Sequence, residues 1–317
     1  MAPPFRHVAI IENPGSGQPS AHRSAALAKA LGALQSAGVD AQHLVINGPG
    51  SGSALAREAV HRGCDAILVC GGDGTVHEVL QALVGTQVAL GVLPMGTANA
   101  LAADLGLSRS PAKAMRSLLA SRPLQVPVGR IIFRDAQGVE HARYFTVAAG
   151  VGADALLMAR MDPALKRRLG YVLYLIEAFR IWISHPFPLF NVHVECADGS
   201  GRSFDASQLL AVRVRSFGGV VGRLAPGASV QSHSLSIIAF KTRSRVKYIR
   251  FLLAVMAGRQ TFGSQVELVT ARAAECRPLL DADIYTEADG DLLGRLPVRI
   301  EISNETLMLL VPPHAQP

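Results

Sequence analysis

Short apolar runs alternate with longer amphipathic segments through the N-terminal part of the chain. The apolar runs have the length of buried strands, and the longer segments repeat apolar residues at helical spacing. This pattern predicts strands at 7–11, 42–46, 66–70 and 90–93, and helices at 21–34, at 53–61 and from residues 75 and 100 onward. Such alternation is typical of a doubly wound α/β domain with a mostly parallel sheet.

The pattern changes near residue 123, after which strands predominate. Strands are predicted at 125–133, 142–149, 190–195, 208–214, 234–241, 265–271, 279–285 and 306–311. Two helical segments, 154–184 and 244–258, interrupt them. We therefore predict a first domain over residues 1–123 and a second, β-rich and sandwich-like domain over residues 124–303.

Composition narrows the possible partners. The 317 residues carry a formal net charge of +7, which favours an anionic partner such as a nucleotide, an acidic membrane surface or nucleic acid. The basic residues lack interleaved stacking aromatic residues, so we predict no nucleic-acid partner. The four cysteines lie apart and have no zinc-binding spacing. Nothing in the sequence indicates an oligomeric state.

The sequence also favours a cytoplasmic protein. Its N-terminus has no apolar signal segment. The longest apolar stretch, 171–183, is interrupted by Glu177 and Arg180 and is too short to span a bilayer.

A glycine-rich turn follows the predicted strand 66–70. Gly71, Gly72, Asp73 and Gly74 separate this strand from a helix that begins near Thr75. Glycines allow a ligand to approach the backbone, and a helix N-terminus presents free N–H groups to an anion. A phosphate site fits this order, and a carboxylate among phosphates favours Mg²⁺. The alternative is a tight turn in which Asp73 caps the helix.

A second turn of the same kind follows the next strand. Gly96, Thr97 and Asn99 lie between the strand 90–93 and the helix that begins at Ala100. Two such turns at neighbouring strand ends would face one crevice. The loop 13–17 lacks the lysine of a P-loop, and no GxGxxG is present, so ordinary Walker and dinucleotide sites are disfavoured.

Four segments together resemble the motifs of the diacylglycerol kinase catalytic-domain family, which includes bacterial soluble lipid kinases and the sphingosine and ceramide kinases. They are Asn-Pro-Gly-Ser-Gly at 13–17, Gly-Gly-Asp-Gly-Thr at 71–75 with Glu78, Pro-Met-Gly-Thr-Ala-Asn at 94–99, and Asp-Gly-Asp at 289–291. The resemblance implies an ATP-dependent kinase that uses Mg²⁺ and phosphorylates a hydroxyl of a diacylglycerol-like or sphingoid lipid. It also implies that residues 304–317 complete the nucleotide-binding domain.

The resemblance assigns expected roles to individual residues. Asp289 would be the base for the acceptor hydroxyl, and Asp73 and Asp291 would act on the metal, with Asp73 also catalytic. The expected nucleotide contacts are Asn13, Ser16, Gly71, Gly72, Gly74, Thr75, Gly96, Thr97, Asn99 and Glu78. On turn preference alone, Asp289-Gly290 is a hairpin turn. Without the resemblance, Glu78 is a solvated helix carboxylate or the partner of an arginine or lysine elsewhere. His77 is expected at the surface.

The chain departs from the family pattern in three places. Ala100 stands where many members carry an aspartate, and Asp291 stands in place of a glutamate. The Asp-Asp-Gly that carries an accessory Mg²⁺ site in some bacterial members is replaced by 231–234, Gln-Ser-His-Ser. These departures leave open a nucleotide- or lipid-binding regulator without turnover. NAD kinases share the Gly-Gly-Asp-Gly-Thr turn, which leaves a second alternative.

Basic residues flank apolar helical segments in the second domain, at 156–182 and 241–256. This combination suits peripheral contact with an anionic membrane at the inner face. The competing interpretation is two core helices with solvated charges.

Overall fold

The computed structural model of the chain describes residues 3–16, 20–161, 171–217, 224–259, 262–280, 282–313 and 315. The chain forms two compact units, one of residues 1–128 with 304–317 and one of residues 129–303. It passes from the first unit to the second within strand Arg122–Arg134, and it returns within strand Asp291–Val311. Among the described residues, no helix combines the length and apolarity needed to cross a bilayer.

The first unit is a parallel sheet covered by helices. Its elements are β1 (His7–Glu12), α1 (Ser20–Ser36), β2 (Asp40–Val45), α2 (Ser51–His61), β3 (Ala66–Gly71), α3 (Asp73–Leu83), β4 (Ala89–Pro94), α4 (Ala100–Asp104) and α5 (Pro111–Leu119). The strand order is β2-β1-β3-β4, and Leu309 near the end of β14 (Asp291–Val311) pairs in parallel with Leu90. Every residue of β3 and β4 is buried, as expected where both sheet faces are covered. The predicted doubly wound α/β domain is confirmed.

The second unit is β-rich and antiparallel. Its elements are the greater part of β5 (Arg122–Arg134), β6 (Glu140–Phe145), β7 (Ala148–Val151), α6 (Ala153–Arg160), α7 (Tyr171–Ser184), β8 (Phe190–Cys196), β9 (Gly201–Ala206), β10 (Gln208–Val212), β11 (Leu235–Phe240), α8 (Arg245–Met256), β12 (Val266–Pro278), β13 (Tyr285–Ala288) and the first part of β14.

Its strand pairings form a closed circuit, β14-β13-β7-β10-β11-β12 and back to β14. The circuit closes because different stretches of β14 pair with β13 and with β12. Phe145, Phe190 and Ile300 lie fully buried in the core between the strands. The predicted β-rich, sandwich-like domain is confirmed, and its exact bounds stay a prediction.

Several predicted elements differ from those observed. The single strand 142–149 is in fact two strands, β6 and β7, because the N–H groups of residues 146–148 turn toward the Asp289 carboxylate. The predicted strand 279–285 is wrong over its described residues before 285: Leu279 and Leu280 are exposed, and neither they nor residues 282–284 belong to a strand. The predicted helix 154–184 ends its first part at Arg160, and residues 162–170 lie outside the described residues.

Two elements have no counterpart in the prediction. Strand β9 pairs with β8 and is largely exposed, so its apolar signal is weak. Helix α5 begins with Pro111 directly after Ser110, which is the residue order expected at a helix start. That local signal was available in the sequence.

Candidate functional site

The turn after β3 is tied to the turn after β4 by a carboxylate. One oxygen of Asp73 accepts the backbone N–H of Asn99 at 2.8 Å, and the other accepts that of Ala100 at 2.7 Å. Asp73 itself is the first residue of α3, with Gly72 before it in an extended conformation. Asp73 therefore links the start of α3 to the start of α4.

Two glycines allow these turns to touch. A Cβ at Gly96 would lie 2.6 Å from the Cα of Gly72, and a Cβ at Gly72 would lie 3.2 Å from the Cα of Gly96. The N–H of Met95 donates to the carbonyl of Gly71 at 2.9 Å and continues the strand pairing up to the contact. Since the opposing atoms are backbone, a side chain at Gly96 would force the two turns apart.

Asn99 closes the second turn on itself. Its side chain accepts the N–H of Gly96 at 2.9 Å and donates to the carbonyl of the same residue at 2.7 Å. Asn99 has φ 51°, in the left-handed region that asparagine tolerates better than most residues. Thr97, between them, is exposed.

The loop after β1 joins the same group of residues. The side-chain amide of Asn13 donates to Oγ1 of Thr75 at 2.9 Å, and its carbonyl oxygen accepts the N–H of Gly15 at 2.8 Å. The Ser16 hydroxyl donates to the Asn13 carbonyl at 2.8 Å. A Cβ at Gly71 would lie 2.7 Å from Thr75 Oγ1, so this glycine gives Thr75 its space. The structure thus brings the three N-terminal motifs together; Gly17 lies outside the described residues.

Charged groups surround the loop after β1. Arg23 on α1 donates to the carbonyl of Ser16 at 3.1 Å and lies 4.0 Å from the carboxylate of Glu12. His43 contacts the other oxygen of Glu12 at 2.9 Å. Burial raises the pKa of the Cys70 thiol to about 12, with Glu12 adding to the effect, so Cys70 is no nucleophile at neutral pH. Arg23 brings a permanent positive charge to the loop, and no motif in the sequence pointed to this residue.

Two residues of α3, Glu78 and His77, have surroundings that the sequence did not indicate. A Cβ at Gly52 would lie 2.5 Å from Oε2 of Glu78, so Glu78 lies against the first turn of α2, where the helix dipole favours a carboxylate. Its nucleotide contact stays a prediction. The surface position predicted for His77 is wrong: its exposure is 2%, because α3 packs against both the sheet and α2.

Asp289 lies in the second unit, at a two-residue hairpin between β13 and β14. Asp289 and Gly290 have φ 47° and 88°, as a type I′ turn requires, and Ala288 pairs with Asp291 across it. The hairpin interpretation of this dipeptide is therefore correct as geometry.

The Asp289 carboxylate holds the backbone between β6 and β7. It accepts the N–H groups of Thr146, Val147 and Ala148 at 2.9, 2.9 and 3.0 Å, and the Thr146 hydroxyl at 3.3 Å. These four bonds match the number of acceptor positions that a carboxylate offers. If Asp289 acts as a base, it does so from this fixed position. Its role as a base stays a prediction.

The predicted metal ligands are not part of a larger cluster. Across the part of the chain that the structure describes, no group of three or more His, Cys, Asp and Glu side chains is placed to hold a metal ion. Asp291 is exposed. Mg²⁺ in nucleotide sites takes one or two carboxylates together with phosphates and water, so a single carboxylate such as that of Asp73 would be sufficient. The metal roles of Asp73 and Asp291 stay predictions.

A buried arginine occupies the region where the family pattern is altered. Arg213 is 1% exposed and donates to the carbonyls of Val230 at 2.6 Å and Ser232 at 3.2 Å, on either side of Gln231. Burial lowers the pKa of Arg213 to about 10, while the charge of Asp289 opposes that change. The positively charged side chain of Arg213 therefore contacts the altered loop, and its charge interacts with that of Asp289.

Comparison with known proteins identifies the family. The model named Diacylglycerol kinase catalytic domain matches residues 7–131, and the model named YegS C-terminal NAD kinase beta sandwich-like domain matches residues 145–311. The chain is 30% identical over 316 residues to a diacylglycerol kinase of Mycobacterium tuberculosis, covering 97% of this chain and 96% of that protein. The chain belongs to the diacylglycerol kinase family. The resemblance inferred from the four motifs is confirmed, and the protein is a kinase by family.

Other members and neighbours of the diacylglycerol kinase family agree with this assignment. A probable YegS-like lipid kinase of Chromohalobacter salexigens is 35% identical over 167 residues, covering 50% of each protein. A putative diacylglycerol kinase from Bacillus anthracis str. Sterne has a similar structure, with a TM-score of 0.78, 21% identity and coverage of 99% and 97%. Yeast NADH kinase in complex with NADH gives a TM-score of 0.51 at 10% identity, covering 97% and 84%. The two structural likenesses show a shared fold.

Proposed function

We propose that this member of the diacylglycerol kinase family transfers the γ-phosphate of ATP to a hydroxyl of a diacylglycerol-like or sphingoid lipid. The observation that carries the proposal is the contact of Gly72 with Gly96, which the Asp73 carboxylate ties together at the ends of two parallel strands. Ligands of open α/β sheets bind at these strand ends. The N-terminus of α3, where the helix dipole is positive, favours an anion there.

The residues of the first unit fit a nucleotide. Gly72 and Gly96 leave the backbone bare where the turns meet, Asn13 joins the loop after β1 to Thr75, and Arg23 adds positive charge beside that loop. Bound ATP and Mg²⁺ would supply the phosphoryl group and offset its negative charge during transfer. Asp73 would hold the metal. For the acceptor hydroxyl, Asp289 and Asp73 are the two proposed bases.

The test is transfer of labelled γ-phosphate from ATP into separate vesicle preparations of diacylglycerol, sphingosine and ceramide, with NAD as a parallel acceptor. We expect one labelled lipid and no labelled NADP. Labelled NADP without labelled lipid would overturn the proposal in favour of an NAD kinase. Thermal stabilisation by ATP without transfer to any acceptor would favour a regulator without turnover, the candidate that Ala100 and Gln231 keep open.

We also propose that α7 and α8 contact an anionic bilayer. The two helices are in contact: the Trp182 indole in α7 donates a hydrogen bond to the carbonyl of Arg245 in α8 at 3.2 Å. Helix α8 packs Phe251 and Val255 into a core and leaves other apolar side chains exposed. The apolar–basic surface consists of the exposed residues Ile176, Phe179, Arg180, Ile183, Arg243, Arg245, Val246, Lys247, Arg250, Leu252, Leu253 and Met256. Exposed apolar and basic side chains together match the chemistry of an anionic membrane surface.

Replacing Phe179 and Val246 with glutamate should weaken binding to phosphatidylglycerol vesicles. Their exposures are 58% and 64%, and each fully buried apolar side chain is worth about 1.5–3 kcal/mol, so the double variant should bind at least ~10-fold more weakly. Vesicle sedimentation at rising salt concentration measures the binding of each protein. Wild-type binding should fall as the salt concentration rises, because salt screens the charges. Val139→Glu is the matched control, because Val139 is 54% exposed on a hairpin of the same unit. Equal binding by the double variant and the control would contradict the proposal.

A further inference from the structure

Two carboxyl groups share the space above one glycine in the second unit. Gly150 of β7 pairs with Glu287 of β13, and Asp154 in the first turn of α6 reaches over the same residue. A Cβ at Gly150 would lie 1.9 Å from Oδ2 of Asp154 and 2.7 Å from Oε1 of Glu287. Only glycine at position 150 leaves room for both carboxyl groups, and because both reach the same point above it they are near neighbours.

The pair is buried and receives little help from its surroundings. Both carboxylate oxygens of Asp154 are buried, and no described side chain donates a hydrogen bond to them. Glu287 is 7% exposed. Two carboxylates this close and this buried cannot both keep their charge, because each is desolvated and repels the other.

The ionisable groups around the pair do not relieve this repulsion. Burial raises the pKa of Asp154 to about 7, against nearby backbone N–H groups. Burial first, and then the charge of Asp154, raises the pKa of Glu287 well above its ordinary value. The other groups that face the pair or its turn are Asp289 and Asp291 on the hairpin, Tyr248 on α8 and Arg213 after β10. Arg213 faces Asp289 instead, and the acidic groups add further repulsion.

Glu287 also holds the hairpin that carries Asp289. Its second oxygen, Oε2, accepts the N–H of Gly290 at 2.7 Å. This bond holds the turn in addition to the bonds that the Asp289 carboxylate accepts from residues 146–148. The position of Asp289 therefore depends on where the Glu287 side chain lies.

We propose that Asp154 and Glu287 share one proton and that this singly protonated pair positions the Asp289 turn. The shared proton lets one oxygen of Glu287 contact Asp154 while the other accepts from Gly290. Loss of the proton sets two negative charges against each other and draws Glu287 away from Gly290. Glu287 and Asp154 are thus positioning residues, a role that rests on the proposed function only in assuming that the Asp289 turn serves the reaction.

The first arm of the test compares Glu287→Gln with Glu287→Ala. Glutamine copies the neutral acid: its carbonyl accepts from Gly290 and its NH₂ donates to Asp154. We expect Glu287→Gln to keep kcat within about threefold, and Glu287→Ala to lower kcat on the order of tenfold with an unchanged KM for ATP, the size expected for one lost hydrogen bond. Equal loss in both variants would overturn the proposal, since a carboxylate charge would then be essential.

The second arm needs no substrate, so it stands even if the chain phosphorylates something else. The pKa of Asp154 is raised in the folded protein, so the stability contributed by its protonated form is complete below about pH 4 and is lost as pH rises through about 7. We expect the melting temperature of Asp154→Asn to fall less than that of the wild type between these pH values. Parallel curves for the two proteins would overturn the proposal. Should Glu287→Ala not fold, Glu287→Gln and Asp154→Asn still decide the question.

Discussion

Replacing Gly96 with alanine is expected to lower ATP-dependent turnover about 100-fold. The new Cβ would lie 2.6 Å from the Cα of Gly72 and 2.9 Å from Oδ1 of Asn99, and the backbone atom cannot rotate away. Overpacking of this kind costs about 1–3 kcal/mol when the structure yields. Here it would yield by separating the two turns and stretching the bonds from Asp73 to Asn99 and Ala100. Misplacement of binding groups by about 1 Å can cost ~100-fold in rate, which sets the expected loss.

The measurement pairs phosphate transfer with ATP titration on the same preparation. Gly32→Ala is the matched control, because Gly32 lies in α1 and a Cβ there meets nothing within 4 Å. Alanine in a helix interior should leave activity unchanged and raise stability by roughly 0.5–1 kcal/mol. Normal ATP binding and turnover in Gly96→Ala would show that the contact of the two turns is not the nucleotide site.

The fold of the first unit could be predicted because its information is local. Strands β3 and β4 are continuous apolar runs, and each ends at a glycine turn that leads into a helix. The break between β6 and β7 could not be predicted in the same way. Its cause is the carboxylate of Asp289, which lies 141–143 positions away in the sequence from the N–H groups that it accepts.

The residues of the candidate site show the same difference between local sequence signals and contacts that join distant parts of the chain. Asn13, Thr75 and Gly96 stand in recognisable local motifs, and the structure joins them as the sequence analysis expected. The pair of Asp154 and Glu287 escaped notice because a helix start and a distant strand meet only through the pairing of β7 with β13. The surface position predicted for His77 was wrong for a related reason: a polar residue on a helix is expected to face water, but α3 packs against both α2 and the sheet, and His77 is buried there.

The altered loop at 231–234 is held by an arginine from elsewhere in the chain, Arg213. The loop lacks the acidic residues expected there, yet the carbonyls of Val230 and Ser232 receive the guanidinium of Arg213. A buried cation bonded to carbonyl oxygens stabilises the local backbone without a metal ligand set. Since Asp289 also feels the charge of Arg213, the altered loop and the hairpin are coupled electrostatically.

Asp289→Asn is expected to lower both stability and turnover. Each carboxylate oxygen accepts two hydrogen bonds, one oxygen from Val147 and Ala148 and the other from the N–H and hydroxyl of Thr146. An asparagine NH₂ in either place would face donors, which leaves backbone N–H groups unsatisfied at about 1–3 kcal/mol. Loss of a catalytic base would lower turnover by a further ~10²–10⁴-fold. ATP affinity should stay within a few-fold, because the expected nucleotide contacts all lie in the first unit.

The matched control is Asp198→Asn, in an exposed Asp-Gly turn between β8 and β9 of the same unit. Asp198 is exposed and accepts the N–H of Ser200 at 2.9 Å, so its substitution should leave both turnover and the urea unfolding midpoint close to those of the wild type. Urea unfolding and lipid phosphorylation measured together separate the two roles of Asp289. A stable but inactive variant would identify it as the base alone. Lower stability with full turnover would make the carboxylate a holder of the β6–β7 backbone, and Asp73 would then be the group to test as the base.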